Sequence, residues 1–464
     1  MLALALASDD AGKSARAGLL AIALLVLAMI FGGGGSPAPR PELALECLTA
    51  LIAILWLITC IPARGQTGVP RNAWLIAVLV AVVPLVQLIP LPAALWQNLP
   101  GRAIERAALG LIALDGTWRP WTMASSRTLA ALLSLAPPLL LLLITATLST
   151  RARLTLVSTI AVVGVISIVV GALQLSADDA SAIRFYGLSA PQLTGFQANH
   201  NSTADVLLIA MIAATVMLRA TIEHRRGSAS QALVLAIAGS VTAFFVIAVV
   251  LTASRMGILL LPIALLANLW ILRPWLPVSR TALIGGALGL AALALLGLLL
   301  ARNNEVLGSI AARFDFSEEL RPQLWQDGLF VVRQHFPFGV GMGNFVPALV
   351  ADERLEVVRQ FLPNRAHNDF IELAAEAGLF GLLALSAVTW LVGRAAWQQL
   401  HLTGQRTAST AVFAAAALLI LALHSMVDYP LRSMSLACLA AVCVGLFLTS
   451  QTNASDRLVA GDKR

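Results

Sequence analysis

Apolar residues in this chain form long continuous runs that are separated by polar stretches of varied length. A run of about 20 apolar residues is long enough to cross a bilayer core that is about 30 Å thick. Because a transmembrane barrel would show short segments of alternating polarity, the pattern predicts an all-α polytopic membrane protein with about twelve transmembrane helices. The predicted spans are residues 17–33, 43–61, 73–91, 129–148, 154–175, 203–219, 232–252, 256–272, 282–300, 378–393, 409–426 and 432–450.

The composition agrees with a bilayer as the main solvent. Hydrophobic residues make up 59% of the chain and charged residues only 12%, and the mean hydropathy is +0.85. Since an average soluble chain carries about 25% charged residues, a cytosolic enzyme, a nucleic-acid-binding protein and a secreted disulfide scaffold are excluded. Arginines in cytoplasmic loops explain the net charge of +7 without a nucleic-acid partner. The four cysteines lie in apolar runs, without metal-ligand spacing.

The distribution of basic residues among the short loops predicts the orientation of the spans. Arginine and lysine occupy alternate loops, and the loops between them are poor in both. Because such residues stay on the cytoplasmic side, both termini are expected in the cytoplasm. The predicted division is a cytoplasmic N-terminus at 1–16, helices 1–9 in 17–300, an outer loop at 301–377, helices 10–12 in 378–450 and a cytoplasmic tail at 451–464.

Two outer segments are too long to be simple connections. Residues 92–128 contain Trp96, Trp118 and Trp121, which predicts an interfacial segment that is anchored by its aromatic rings. Residues 301–377 form the largest polar stretch of the chain. Long polar loops in compact proteins usually carry function, so this loop is expected to hold the chemistry and to fold as short helices over a cavity.

A glycine-rich motif at residues 336–345 includes Gly341 and Asn344. It lacks the lysine that a phosphate-binding P-loop requires, and no strand precedes it. Tight turns close to the membrane explain the motif, and a substrate-binding loop is the alternative.

A histidine motif follows in the same loop. Asn364 is expected to cap a helix here, which places His367 in the first turn, where amide groups and the helix dipole favour an anionic ligand. The four-residue spacing of Asn368, Glu372 and Glu376 predicts that these side chains share one helical face. A capping histidine beside a hydrated carboxylate face would explain the same pattern.

Two arginines precede these motifs. Arg255 stands at the outer junction of two predicted spans, where a charged side chain needs an anionic partner or a water-filled cavity. Arg255 is therefore a candidate for binding an anion. The second arginine, Arg321, stands with Trp325 shortly before the glycine-rich motif.

Two further polar clusters border the spans on the outer side. His200 and Asn201 belong to a stretch that opens the sixth span, where helix capping is an equally good explanation. Asp428 lies in the short turn between the last two spans and is expected to pair either with Arg432 or with an arginine of a functional site. A structural ion pair is the simpler explanation.

Taken in order along the chain, these motifs resemble those of the O-antigen ligase and O-antigen polymerase superfamily. The resemblance is closest over roughly residues 200–450, and the earlier helices carry no diagnostic motif. It is carried by Ser254-Arg255, Arg321 with Trp325, Gly339-Val340-Gly341-Met342-Gly343-Asn344-Phe345, His367-Asn368, Glu376-Ala377-Gly378 and Gly381.

The resemblance implies a membrane glycosyltransferase on the periplasmic side of a bacterial inner membrane. Its donor would be a glycan on undecaprenyl diphosphate. Its acceptor would be a lipid A–core sugar in a ligase, or a second lipid-linked repeat unit in a polymerase. The catalytic residues of the family fall on Arg255, Arg321 and His367, although Arg313 lies close to Arg321. The substrate-binding residues would be Asn368, Glu376, Gly341, Asn344, His200, Asn201 and Asp428.

These residue types suit the implied reaction. Negative charge grows on the diphosphate when the sugar–phosphate bond breaks, and guanidinium groups bind such oxygens through paired hydrogen bonds. Neutral imidazole can accept the proton that the acceptor hydroxyl loses. No Asp-x-Asp motif or histidine cluster offers a metal site, so no metal or cofactor is expected. Membrane lipid and the two glycan substrates are the expected partners.

The ligase is preferred over the polymerase, although the catalytic residues suit both. The alternative of another class is a lipid-linked sugar transporter or flippase, since about twelve helices are typical of carriers. Carriers usually place ionisable residues near mid-membrane, whereas Glu46 is expected to be almost the only acidic residue inside a span. The large outer loop has no role in alternating access, which favours an enzyme.

Overall fold

The computed structural model describes residues 2–35, 39–60, 68–176, 182–186, 192–224, 230–276, 320–352, 363–402 and 405–448. The first helices in these ranges are α1 (Leu2–Phe31), α2 (Pro39–Cys60), α3 (Arg71–Gln87), α4 (Ala93–Trp96), α5 (Ala103–Gly110), α6 (Ser125–Leu133), α7 (Ala136–Thr147) and α8 (Thr150–Leu175). They are followed by α9 (His200–His224), α10 (Gln231–Leu251), α11 (Arg255–Leu272), α12 (Arg321–His335), α13 (Phe345–Asp352), α14 (Asp369–Leu402), α15 (Gln405–His424) and α16 (Met434–Leu448). Two short strands, β1 (Pro90–Leu91) and β2 (Arg119–Pro120), pair antiparallel with Pro90 opposite Pro120.

Many of these helices are long and apolar enough to cross a membrane. Among the described residues, eight candidate spans occur: Gly12–Phe31, Arg40–Cys60, Ser125–Thr147, Thr150–Leu175, His200–His224, Gln231–Leu251, Arg255–Trp275 and Asp369–His401. Shorter apolar helices lie at Arg71–Gln87, Ala408–His424 and Met434–Leu448. All of them coincide with predicted spans, so the all-helical, multi-pass class is confirmed. The predicted ninth span, 282–300, and the predicted tail lie outside the described residues, and the number twelve stays a prediction.

Small residues bring the helices of the bundle close together. A Cβ added to Gly164 of α8 would lie 2.4 Å from Cβ of Ala210 of α9, and one added to Gly257 of α11 would lie 2.4 Å from Cβ of Ala204. Since lipid tails are as apolar as the helices, close backbone approach is a main source of packing contacts between membrane helices. Among the described spans, α9 is the most enclosed, and it packs against α8, α10, α11 and α15.

One end of the bundle, called the upper end below, collects the termini of several helices. Gly32 O, just beyond α1, accepts a hydrogen bond of 2.9 Å from Ser435 N of α16. Asp369 N donates to Ser425 O at 2.9 Å, which joins the start of α14 to the end of α15. Segments that the sequence assigns to the outer side therefore meet at this end.

The helix α14 is too long to cross a bilayer as one straight rod. Its 34 residues would extend over about 50 Å, whereas the apolar core measures about 30 Å. The helix is broken at Gly378, where φ is 56° and ψ is −146°, and where a Cβ would lie 2.1 Å from the carbonyl oxygen of Pro337. Only glycine tolerates both that conformation and that backbone approach. The part that follows Gly378 is long enough to cross alone, and the preceding turns belong to the upper end.

Two of the three tryptophans in the predicted interfacial segment do not anchor it, which corrects the prediction. Trp96 is fully buried and donates from Nε1 to Thr117 O at 2.9 Å, while Trp121 packs edge-on against Phe338 with ring centroids 5.4 Å apart. Trp96 thus holds the segment together, whereas Trp121 attaches it to the glycine-rich motif. Trp118 is 68% exposed and is the ring that suits a membrane interface.

Candidate active site

Side chains from four distant parts of the chain meet at the upper end. His367 Nδ1 lies 3.1 Å from Oδ1 of Asp428, and Arg321 Nη2 lies 3.6 Å from Oδ2 of the same carboxylate. The side-chain amide of Asn201, on the first turn of α9, donates to that Oδ2. These four residues are called the His367 group below. Two predicted catalytic residues and two predicted substrate-binding residues are thus brought into contact.

His367 does not lie in the first helical turn, contrary to the prediction. Asn368, not Asn364, caps α14, because its Oδ1 accepts hydrogen bonds from the N–H groups of Phe370 and Ile371, at 3.0 and 3.1 Å. His367 therefore stays outside the helix, with a φ of 49°. This left-handed conformation is unfavourable for a residue with a side chain and persists only where its surroundings hold it.

Two neighbours hold His367 in that conformation. Trp325 Nε1 donates to the carbonyl oxygen of His367 at 3.1 Å, and the ring of Tyr429 meets the imidazole edge-on, with centroids 4.9 Å apart. The histidine side chain remains 25% exposed. The result is a fixed imidazole that still borders open space.

Asp428 is the centre of the His367 group. Its side chain is 3% exposed and accepts hydrogen bonds from His367 and from the N–H of Tyr429. Burial would raise the pKa of this carboxyl, but the hydrogen bond and charge of His367, with the charges of His424 and Arg321, outweigh burial and lower the pKa to about 2. Asp428 is therefore ionised at physiological pH.

The ionised Asp428 decides which imidazole nitrogen carries hydrogen. Since a carboxylate can only accept, Nδ1 of His367 is the donor in their hydrogen bond. In the neutral ring, Nε2 then keeps its lone pair and is able to accept a proton. The pair has the arrangement of a general base that is oriented by a carboxylate.

Arg321 is the first residue of α12 and reaches the group from the large outer loop. Its side chain is 20% exposed, so the guanidinium contacts Asp428 while part of it faces the surface. The neighbouring candidate, Arg313, lies outside the described residues. The contact between Arg321 and Asp428 favours Arg321 as the arginine of this site.

Arg255 is the first residue of α11 and is half-buried at the upper end. Its helix packs closely against α9, where Gly257 meets Ala204, one turn beyond His200 and Asn201. The tertiary structure thus places Arg255 beside the helix start that supplies Asn201 to the His367 group.

A second charged group lies beside the first and is called the Arg432 cluster below. Arg432 Nη1 lies 2.8 Å from Glu376 Oε2, and its Nε lies 3.5 Å from Glu372 Oε1 and 3.6 Å from Asp369 Oδ1. Arg365 adds an ion pair of 2.8 Å with Glu372 Oε1. Glu372 and Glu376 do share a helical face, but that face is fully buried rather than hydrated, because the two arginines neutralise it.

The contacts of the Arg432 cluster are internal. Besides Arg432, Glu376 accepts a hydrogen bond of 3.2 Å from the N–H of Phe345 on α13, and Asp369 accepts one of 2.8 Å from Ser425 Oγ. These contacts tie α13, α14 and the chain after α15 to one another. Glu376, a predicted substrate-binding residue, is thus engaged in holding the outer segments together.

The glycine-rich motif also holds the outer segments together. Gly341 N donates to Glu376 O at 2.8 Å, its φ is 97°, and a Cβ there would lie 2.0 Å from Thr122 Oγ1. Asn344 is fully buried, and its Nδ2 donates to the hydroxyls of Thr122 and Thr128 at 2.8 and 3.2 Å. The structure therefore places Gly341 and Asn344 at a junction of segments and not among the contacts of the His367 group.

Sequence reasoning missed a buried pair next to the His367 group. Asp205 of α9 contradicts the expectation that Glu46 is almost the only acidic residue within a span. Its Oδ1 lies 2.7 Å from Nδ1 of His424, the last residue of α15. Two signals were present, since Asp205 interrupts an apolar run and His424 stands four residues before Asp428.

Two other histidines have local partners. His335 Nε2 lies 2.8 Å from Asp352 Oδ2, and the ring of His401 stacks on Trp397 with centroids 3.8 Å apart. Within the described ranges, no group of three or more histidine, cysteine, aspartate or glutamate side chains is arranged to hold a metal ion.

A family model described as O-antigen ligase matches residues 239–386 of the chain. The matched stretch contains Arg255, Arg321, His367 and Glu376, whereas Asn201 and Asp428 lie outside it. No curated protein matches the chain. The family match confirms the resemblance that the ordered motifs predict, and residues 239–386 carry a domain of the O-antigen ligase and O-antigen polymerase superfamily.

Proposed function

We propose that the protein is an O-antigen ligase-like membrane glycosyltransferase. It transfers a glycan from undecaprenyl diphosphate to a sugar hydroxyl of lipid A–core on the periplasmic face of a bacterial inner membrane. The observation that carries the proposal is the His367–Asp428 pair, with Arg321 on the same carboxylate, in a chain whose matched domain is that of the O-antigen ligase family.

His367 acts as the general base. An acceptor hydroxyl that approaches the exposed side of the imidazole gives its proton to Nε2 as its oxygen bonds to the anomeric carbon of the donor sugar. Asp428 keeps the ring in the required tautomer and stabilises the imidazolium that forms. The strained backbone of His367, held by Trp325 and Tyr429, aims the ring before substrate binds.

The arginines stabilise the leaving group. As the anomeric carbon–oxygen bond breaks, the electron pair stays on undecaprenyl diphosphate, whose oxygens bind guanidinium groups through paired hydrogen bonds. Arg321 is partly exposed beside the base, and Arg255 lies at the helix start next to Asn201. Preorganised positive charge at that position takes the role that a divalent ion has in many soluble transferases.

The acceptor distinguishes ligase from polymerase, since both use the same donor chemistry. The experiment is the glycan profile of a deletion strain on a gel. Rough lipopolysaccharide, with long chains retained on undecaprenyl diphosphate, supports the ligase. Lipopolysaccharide capped with a single repeat means a polymerase. Repeats trapped on the cytoplasmic face mean a flippase and contradict the enzyme.

The proposed orientation places the upper end in the periplasm and both termini in the cytoplasm. Reporter fusions that end at Gln323, in α12, and at Arg406, in α15, should report opposite sides of the membrane. Reporters on the same side would contradict this topology.

A further inference from the structure

The buried pair formed by Asp205 and His424 has no role in the mechanism above. Both side chains lie in the bundle, exposed by no more than 1%, and they are 219 positions apart in the sequence. Ionisable groups inside a membrane bundle are unfavourable to bury and are usually functional. A buried ion pair seldom adds stability over an apolar pair of similar volume, so stability alone does not explain this one.

The pair continues directly into the His367 group. His424 uses Nδ1 for Asp205, and its Nε2 lies 3.9 Å from Oδ2 of Asp428. The other oxygen of Asp428 accepts the hydrogen bond from His367. The four side chains form one line of alternating acid and imidazole that runs from the interior of the bundle to the exposed base.

The charges along this line are ordered. A ring nitrogen that faces an ionised carboxylate is attracted when it bears hydrogen and repelled when it presents a lone pair. Since His424 faces carboxylates with both nitrogens, hydrogen on both is favoured. A ring with hydrogen on both nitrogens is positive and, between Asp205 and Asp428, offsets part of the charge of Asp428.

We propose that Asp205 and His424 are positioning residues for the transfer reaction. They fix Asp428 on the side opposite His367 and influence the electrostatic potential at His367, while neither contacts a substrate. The inference rests on the proposed function, because it assigns a role in the same reaction. The charged or titratable neighbours are Asp205, Asp428 and Arg321 around His424, and Asp428, Tyr429 and Arg321 around His367.

The test uses the full-length protein in liposomes, with undecaprenyl-diphosphate-linked glycan and acceptor lipid extracted from the deletion strain. His424→Gln removes the positive ring. Asp205→Asn removes the balancing charge but keeps an acceptor for His424 Nδ1. We expect kcat to fall about 10- to 100-fold in each, with the KM for the donor within about twofold of wild type. In His424→Gln, the acid limb of the kcat/KM profile should move to higher pH, because the positive ring that faces Asp428 is then absent.

The matched control is His335→Gln, which breaks the hydrogen bond between buried His335 and partly buried Asp352, away from the His367 group. It should lower thermal stability without moving the acid limb. The proposal is overturned if both test variants keep the kcat and acid limb of this control. It is also overturned if neither variant folds while His335→Gln does, since the pair would then be purely structural. Full activity of His367→Ala would instead overturn the proposed function itself.

Discussion

Asp428 and Arg432 stand four residues apart, yet their charges belong to two different groups. Asp428 contacts His367 and Arg321, whereas Arg432 contacts the carboxylates of α14. The 3-10 turn Pro430–Arg432 begins two residues after Asp428 and ends at Arg432. Changes in the first group should therefore affect activity most, and changes in the Arg432 cluster should affect stability most.

Removal of the base should abolish most of the transfer. His367→Ala is expected to lower the rate of product formation on the order of 10²- to 10⁴-fold, which is the usual contribution of a general base. The thermal unfolding temperature should fall only modestly, because buried Asp428 loses one hydrogen bond but keeps Arg321 and Asn201 as partners. The control is His401→Ala, since that exposed ring stacks only on Trp397 of its own helix. An unchanged rate in His367→Ala would falsify the catalytic role.

The pH dependence of stability should include a contribution from Asp428 at acid pH. The pKa of Asp428, about 2, lies below the usual value of about 3.9, so its ionised form stabilises the fold above about pH 4, and this contribution is lost as the pH falls through about 2. Between pH 5 and 8 its charge is constant. Thermal unfolding of the wild type should therefore show a loss of stability between about pH 4 and pH 2 that Asp428→Asn lacks. An equal loss in both proteins would assign it to other carboxyl groups.

Lysine should substitute poorly for the two arginines. Arg255→Lys and Arg321→Lys keep the charge but lose the planar guanidinium that binds two phosphate oxygens. We expect transfer to fall on the order of 10- to 10³-fold in each, as measured by release of undecaprenyl diphosphate. A chelator should leave the wild-type rate unchanged. Strong inhibition by a chelator, reversed by added Mg²⁺, would contradict the assignment of leaving-group stabilisation to arginine.

Disruption of the Arg432 cluster should destabilise the protein. Arg432→Ala leaves the buried carboxylates of Asp369, Glu372 and Glu376 short of positive charge, and breaking a buried ion pair typically costs about 3–5 kcal/mol. The melting temperature in detergent should fall by several degrees. Arg106→Ala, at an exposed position on α5, is the matched control and should melt as the wild type does. Equal melting temperatures would show that the cluster contributes no stability.

The break in α14 should require glycine. Gly378→Ala forces a side chain into a left-handed φ and against Pro337 O, which should cost on the order of 1–3 kcal/mol or more. Gly393→Ala is the control in the same helix, because nothing lies within 4 Å of its added Cβ, and alanine favours a helix by about 1 kcal/mol. Thermal unfolding of the two variants should therefore shift in opposite directions. Equal stability would mean that α14 straightens at little cost.

The sequence alone predicted the positions of the apolar helices and the candidate reactive residues. Helical hydrogen bonds join residues four apart, and a bilayer demands continuous apolar runs, so both constraints are visible in a local stretch of chain. The family match at residues 239–386 likewise needs only the sequence, and that stretch contains Arg255, Arg321 and His367.

Only the tertiary structure decided the partners of these residues. Asp428 pairs with His367 across 61 positions, and His424 pairs with Asp205 across 219. The four-residue spacing of Asp428 and Arg432 predicts a pair that the fold does not form. Spacing along the chain constrains neighbours within one helix, whereas a carboxylate at a helix end is paired by whichever donor the packing of other helices brings within about 3 Å.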